Sequence, residues 1–227
     1  MVTEFASIEA GLARVRELRA DRLADRELAA KVDAIKRFQH ARLQRDYIAW
    51  LADPRYRAAA RFFLEHLYGP HDFTARDTQF ERIIPALRRM LPEVFRATVS
   101  ALIELHALTE EMDQAMARCL DGLEPDAAAY GRAWRRVGRP EARERQVALM
   151  LIVGRSLDRH TGNPLLGATL RVMRGPAHAA GLGALQEFLE SGFQAFKAMK
   201  GAEEFLVAVA HNERAQIAAL FGASTDQ

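Results

Sequence analysis

Apolar residues in this chain return at three- and four-residue steps along most of its length, and glycine and proline mark the places where the pattern stops. Such spacing follows the turn of an α-helix, about 3.6 residues, and not the two-residue alternation of a half-buried strand. Ile8, Leu12 and Val15 share one face of a first segment. Leu28, Val32, Ile35, Tyr47, Trp50 and Leu51 mark a second, with Arg37, Arg45 and Asp46 on the opposite face. No stretch alternates as a sheet strand would, and no internal repeat is visible. The pattern predicts an all-α fold, an irregular multi-helix bundle of about nine helices with no sheet. Apolar residues make up 49% of the 227 positions, enough for a sizeable core and too many for a disordered chain.

The breaks set the expected organisation. Asp53-Pro54 ends the second helical segment, expected from Asp25 to Ala52, because a residue before proline avoids the helical region. Residues 1–53 then form an N-terminal amphipathic segment, a hairpin or one long helix. Residues 54–227 form the main bundle, packed with it as one domain. Thr74 and Asp77 have the spacing of a capping box. Pro85 is expected to kink or divide the helix that follows. Pro92 opens a helix reaching about Leu120, with Val99, Leu102, Leu105, Met112, Met116 and Cys119 as its buried stripe. Val147–Val153 is apolar on every side, which predicts the most buried helix of the bundle. A short helix is expected from Leu165 to Met173, and Gly175–Gly183 reads as a loop of small residues.

Several classes are excluded or disfavoured early. Cys119 is the single cysteine, so no disulfide framework exists. Glu4 and Glu9 interrupt the first twelve residues, which lack the apolar stretch of a secretory signal. The longest apolar run falls far short of the roughly 20 residues needed to span a bilayer. A cytoplasmic protein without membrane association is expected. The 32 Lys+Arg against 30 Asp+Glu leave a formal charge of +2, which gives no general attraction to nucleic acid.

Residues Phe62-Phe-Leu-Glu-His-Leu-Tyr-Gly69, followed by Pro70-His-Asp-Phe-Thr-Ala-Arg-Asp77, resemble a family of uncharacterised bacterial proteins named for a Phe-Phe-Leu-Glu-Glu-Leu-Tyr motif. His66 departs from it, standing where the motif has glutamate. The stretches Leu105-His-Ala-Leu108 and Phe193-Gln-Ala-Phe196 are also similar to that family. The resemblance implies a bacterial helical protein and carries no activity, cofactor or catalytic residue with it. Physically the motif is a helix end followed by a tight loop that gathers Tyr68, His71, Asp72, Arg76 and Asp77. These residues either form a binding corner or satisfy one another as caps, an ion pair and a buried hydroxyl.

Other constellations are weaker. A di-iron bundle needs Glu-x-x-His pairs. Here Glu104 and His106 stand two residues apart, about 200° around a helix, as do Asp158 and His160. No metal site and no catalytic residue is expected. Cys119 on a buried stripe is an inert hydrophobe. His106, mid-helix among Leu102, Ile103 and Leu105, is the candidate contact for a small molecule or, through an axial imidazole, for haem. Arg132, Arg135, Arg136, Arg139 and Arg143 form a candidate anion patch for phosphate or nucleic acid. The leading expectation is a non-catalytic protein that binds a protein partner or itself. A small-molecule or haem sensor, and phosphate association, stand as alternatives.

Overall fold

The structure, a computed structural model, describes residues 2–67, 69, 73–90 and 93–222. Among these residues eleven α-helices follow in order: α1 (Val2–Ala24), α2 (Arg26–Asp46), α3 (Ile48–Ala52), α4 (Arg57–Phe62), α5 (Thr74–Met90), α6 (Glu93–Arg118), α7 (Ala127–Val137), α8 (Pro140–Thr161), α9 (Pro164–Ala179), α10 (Gly183–Met199) and α11 (Glu203–Gly222). A π-helical turn, Phe63–Leu67, continues α4. The described residues contain no strand, so the fold is an all-α multi-helix bundle. Among the described residues no helix is long and apolar enough to cross a membrane.

Short polar residues start several helices by accepting an otherwise unpaired backbone N–H. The Asp25 carboxylate accepts from Leu28 N at 3.0 Å, Asp126 from Ala129 N at 2.7 Å, and Asn163 from Leu165 N at 2.9 Å. Pro140 and Pro164 open α8 and α9, where the missing N–H is no loss. The chain reverses between α7 and α8 at Gly138, whose φ of 64° and ψ of −134° belong to glycine.

One of the helices beyond the expected nine or so has a local reason. The segment expected to run from Asp25 to Ala52 breaks at Tyr47, and α3 follows as a separate short helix. The break leaves the Tyr47 ring buried, 6.2 Å from Phe205. Two further expectations are corrected. Helix α5 passes through Pro85 undivided, since one missing N–H leaves the other backbone bonds of a 17-residue helix in place. Helix α9 passes through Gly175 and Pro176 to Ala179, so the expected loop is mostly helix. The reversal falls on Ala180–Leu182, closed by Leu182 N donating to Ala177 O at 2.8 Å.

The most buried helix is α6, not α8. Helix α6 packs against α1, α2, α7 and α8, and of its described side chains only Ala97 and Arg118 are exposed. Helix α8 leaves Ile152, in the middle of its apolar run, 46% exposed. The main core gathers rings from well-separated segments: Trp50 stands 4.7 Å from Tyr56 and 5.3 Å from Phe205, and Phe63 stands 5.2 Å from Phe205. A second cluster, Ile8, Leu12, Ile84 and Ile103, joins α1, α5 and α6. Gly11 lies at that contact, where a Cβ would sit 2.6 Å from Ile103 Cγ2. Leu28 and Val32 of α2 bury against Ala117 of α6. The apolar stripes of α1 and α2 are therefore turned onto the bundle.

Candidate functional site

Helix α6 carries His106, Thr109, Glu110 and Asp113 at intervals of three, four and seven residues, which places them on one stripe of the helix. Opposite stand Lys36 and Gln39 of α2. Arg76, Asp77 and Phe80 come from the start of α5, His66 and Leu67 from the π-helical turn, and Phe188 with its neighbours from α10. Together they line a cavity of about 140 Å³. The π-helical turn widens the backbone where α4 ends beside this cavity, a position such turns often take at functional sites.

Asp77 is the hub of the outer end. Its Oδ2 accepts from His106 Nε2 at 2.8 Å and from Arg19, and its Oδ1 accepts from Arg76 Nε at 2.9 Å. Both oxygens are thus committed to the site, and not to the capping box that its spacing with Thr74 suggested. Burial raises the Asp77 carboxyl, but the His106 hydrogen bond and the charges of Arg76 and Arg19 outweigh it and hold the group well below the usual carboxylate range. An ionised carboxylate only accepts, so Nε2 of His106 carries the hydrogen between them. Arg76 also donates to His66 O at 3.1 Å, and its guanidinium lies 4.3 Å from the Phe73 ring centre and 4.9 Å from that of Phe188. One side chain thereby ties the π-helical turn, α5 and α10 together.

Glu110 is the hub of the inner end, accepting from Arg22 at 2.7 Å and from Lys36 at 2.5 Å. Burial again opposes the charge, and Lys36 and Arg22 prevail, taking its pKa down to about 2. One turn further along α6, Gln39 donates to Asp113 at 2.9 Å. Burial dominates at Asp113 and pushes its carboxyl up, against the opposing charge of Lys36. A buried polar seam thus runs from His106 to Asp113 along the contact between α2 and α6, while the other walls of the cavity are apolar.

The residues singled out from sequence are distributed unevenly. Arg76, Asp77 and His106 meet at the cavity. Tyr68, His71 and Asp72 lie outside the described residues. The five arginines of the candidate anion patch do not converge. Arg132 and Arg136 turn to Asp121 at 3.9 and 2.9 Å, Arg139 to Glu111 at 2.5 Å, and Arg135 to Leu220 O at 3.3 Å. Arg143 is buried, 3.7 Å from the Trp134 ring centre. Cys119 is half-buried against the main core. No group of three or more His, Cys, Asp or Glu among the described residues is placed to hold a metal ion. The cavity, at about 140 Å³, is smaller than the roughly 300–1,000 Å³ of sites for drug-sized ligands. Sequence reasoning missed Lys36, Gln39, Thr109, Glu110 and Asp113. The signal was available in α6 as a polar stripe running beside an apolar one on a helix too apolar to be wholly exposed.

Fold and cavity together define an all-helical protein with a small internal site, apolar on most sides and charged on one. The chain belongs to the DUF8198 family, a domain of unknown function, whose family model matches residues 18–227. No curated protein and no solved structure matches it.

Proposed function

We propose that the protein binds a small molecule in the cavity between α2, α5, α6 and α10. The observation that carries this is the junction of an apolar cavity of about 140 Å³ with a histidine whose orientation and tautomer are set by a buried carboxylate. Preformed cavities of about 150 Å³ accept molecules of benzene size, and a few fixed polar groups on an apolar wall give such sites their specificity. Binding to a protein partner or self-association has weaker structural support, because the apolar stripes of α1 and α2 that suggested it are covered by α6. The resemblance to the Phe-Phe-Leu-Glu-Glu-Leu-Tyr proteins, together with the lone cysteine, supports a bacterial, cytoplasmic setting.

The test is an NMR titration of ¹⁵N-labelled protein with millimolar neutral, anionic and cationic benzene derivatives. At least one compound is expected to shift the amide signals of α6 and α10 residues at the cavity. Leu102→Trp, which fills it from α6, is expected to abolish those shifts while leaving the rest of the spectrum folded. If no compound moves these signals, or if Leu102→Trp leaves the shifts intact, the proposal fails.

A further inference from the structure

Deepening the binding proposal, on which it rests, we infer that the ligand is a small carboxylic acid with an apolar body. The inference comes from the balance of buried charge around the cavity. Arg19, Arg22, Lys36 and Arg76 have side chains only 14–19% exposed, so water screens them poorly. They meet two ionised carboxylates, and each is shared: Asp77 between Arg19 and Arg76, Glu110 between Arg22 and Lys36. The third carboxyl, Asp113, is 2% exposed, and burial biases it toward its neutral form. Behind it Arg143, 5% exposed, donates through Nη1 to Gln146 at 3.3 Å and lies over the Trp134 ring, but among the described residues it makes no ion pair and its Nε and Nη2 have no hydrogen-bond partner. Even with Asp113 ionised, these five cations outnumber the three carboxylates among the described residues of the seam.

Buried charge is tolerated when it is paired, and an unpaired buried cation is expensive. A ligand carboxylate at the seam would add negative charge where the described residues are short of it. A cationic ligand would add to the excess, and a neutral one would leave it as it is. Donors for a carboxylate are in place. Lys36 gives one of its three N–H groups to Glu110. Thr109 Oγ1 accepts from Gln146 at 3.0 Å, so its own hydroxyl proton is available. Both line the cavity together with His106. Phosphate and sulfate fit less well, because they bring two or three charged oxygens into a space whose other walls are phenylalanine and leucine.

The experiment is isothermal titration calorimetry of the full chain with benzoate and hexanoate against benzamide and hexanamide, which match them in size but carry no charge. At least one acid is expected to bind ten-fold or more tightly than its amide. Lys36→Met is expected to collapse that preference to less than three-fold. Since Lys36→Met also takes one of its two cations from Glu110, Thr109→Val serves as a milder second variant and is expected to reduce the preference at least two-fold. Amides that bind as tightly as the acids would overturn the carboxylate inference while leaving the binding proposal standing. If neither acids nor amides bind, and the NMR titration is also silent, both fall together.

Discussion

Replacing Glu110 by Gln removes one negative charge from between two cations, and its effect can be sized in two ways. The Glu110 side chain is 5% exposed and accepts from Arg22 and Lys36. On folding its pKa falls from 4.5 to about 2. Each pKa unit corresponds to about 1.4 kcal/mol, so the ionised group contributes roughly 3 kcal/mol at neutral pH. Breaking a buried ion pair by removing one partner costs about 3–5 kcal/mol in other proteins, the same range. The sign follows from the folded pKa lying below the unfolded one. The contribution is fully present above the unfolded value and drains away as pH falls toward the folded one. Glu110→Gln, which resembles the protonated acid, should therefore be less stable than the natural chain by about 3 kcal/mol at pH 7 and by only about half that at pH 3. Urea unfolding followed by far-ultraviolet circular dichroism at both pH values measures the two differences. A deficit that is the same at pH 7 and pH 3, or one below about 1 kcal/mol at pH 7, would refute the account of Glu110 as a charge held by Arg22 and Lys36.

Two other substitutions test the packing and the site. In Gly167→Ala the new Cβ would stand 2.7 and 2.8 Å from Cε1 and Cζ of Phe193, a ring that cannot fold aside. Overpacking of about 1–3 kcal/mol should outweigh the gain of roughly 1 kcal/mol in helix propensity. Calorimetry should show a lower melting temperature, and an unchanged or higher one would mean that α9 and α10 separate easily. In Asp77→Asn, Arg19 and Arg76 lose their shared charge and His106 loses the acceptor that sets its tautomer, so unfolding free energy should drop by about 3 kcal/mol. Long-range ¹H–¹⁵N spectra should show His106 as the Nε2–H form in the natural chain and a mixture in the variant; identical spectra would count against the dyad.

Much of the architecture was legible because helices are local. The three- and four-residue period identified them, and Asp25, Pro140 and Pro164 start theirs by rules that act within one turn. The misreadings came from tertiary context. Tyr47 breaks a helix whose own residues would continue it, with its ring buried beside Phe205. Gly175 and Pro176 look like a loop taken alone, yet they lie inside a helix that holds the buried Ala177 against the bundle. The run Val147–Val153 is apolar all round, but burial depends on how many neighbours a helix has, and α6 has them on more sides than α8.

The site was legible in fragments, for a related reason. Asp77 and His106 could each be singled out, the first from a polar loop and the second from its apolar helix. What joins them is a helix pairing across 29 positions, and Lys36 reaches Glu110 across 74. Periodicity tells which residues share a face of one helix and says nothing about which faces meet. Charge behaves in the same way. The formal charge of +2 suggested a chain with little electrostatic preference, because most of its carboxylates and guanidinia sit in water, where their sum has little consequence. The residues that matter are those withdrawn from water, and around the cavity these are Arg19, Arg22, Lys36, Arg76 and Arg143 against Asp77, Glu110 and Asp113. A nearly neutral chain can therefore carry a cationic site, because water screens the surface charges well and those around the cavity poorly.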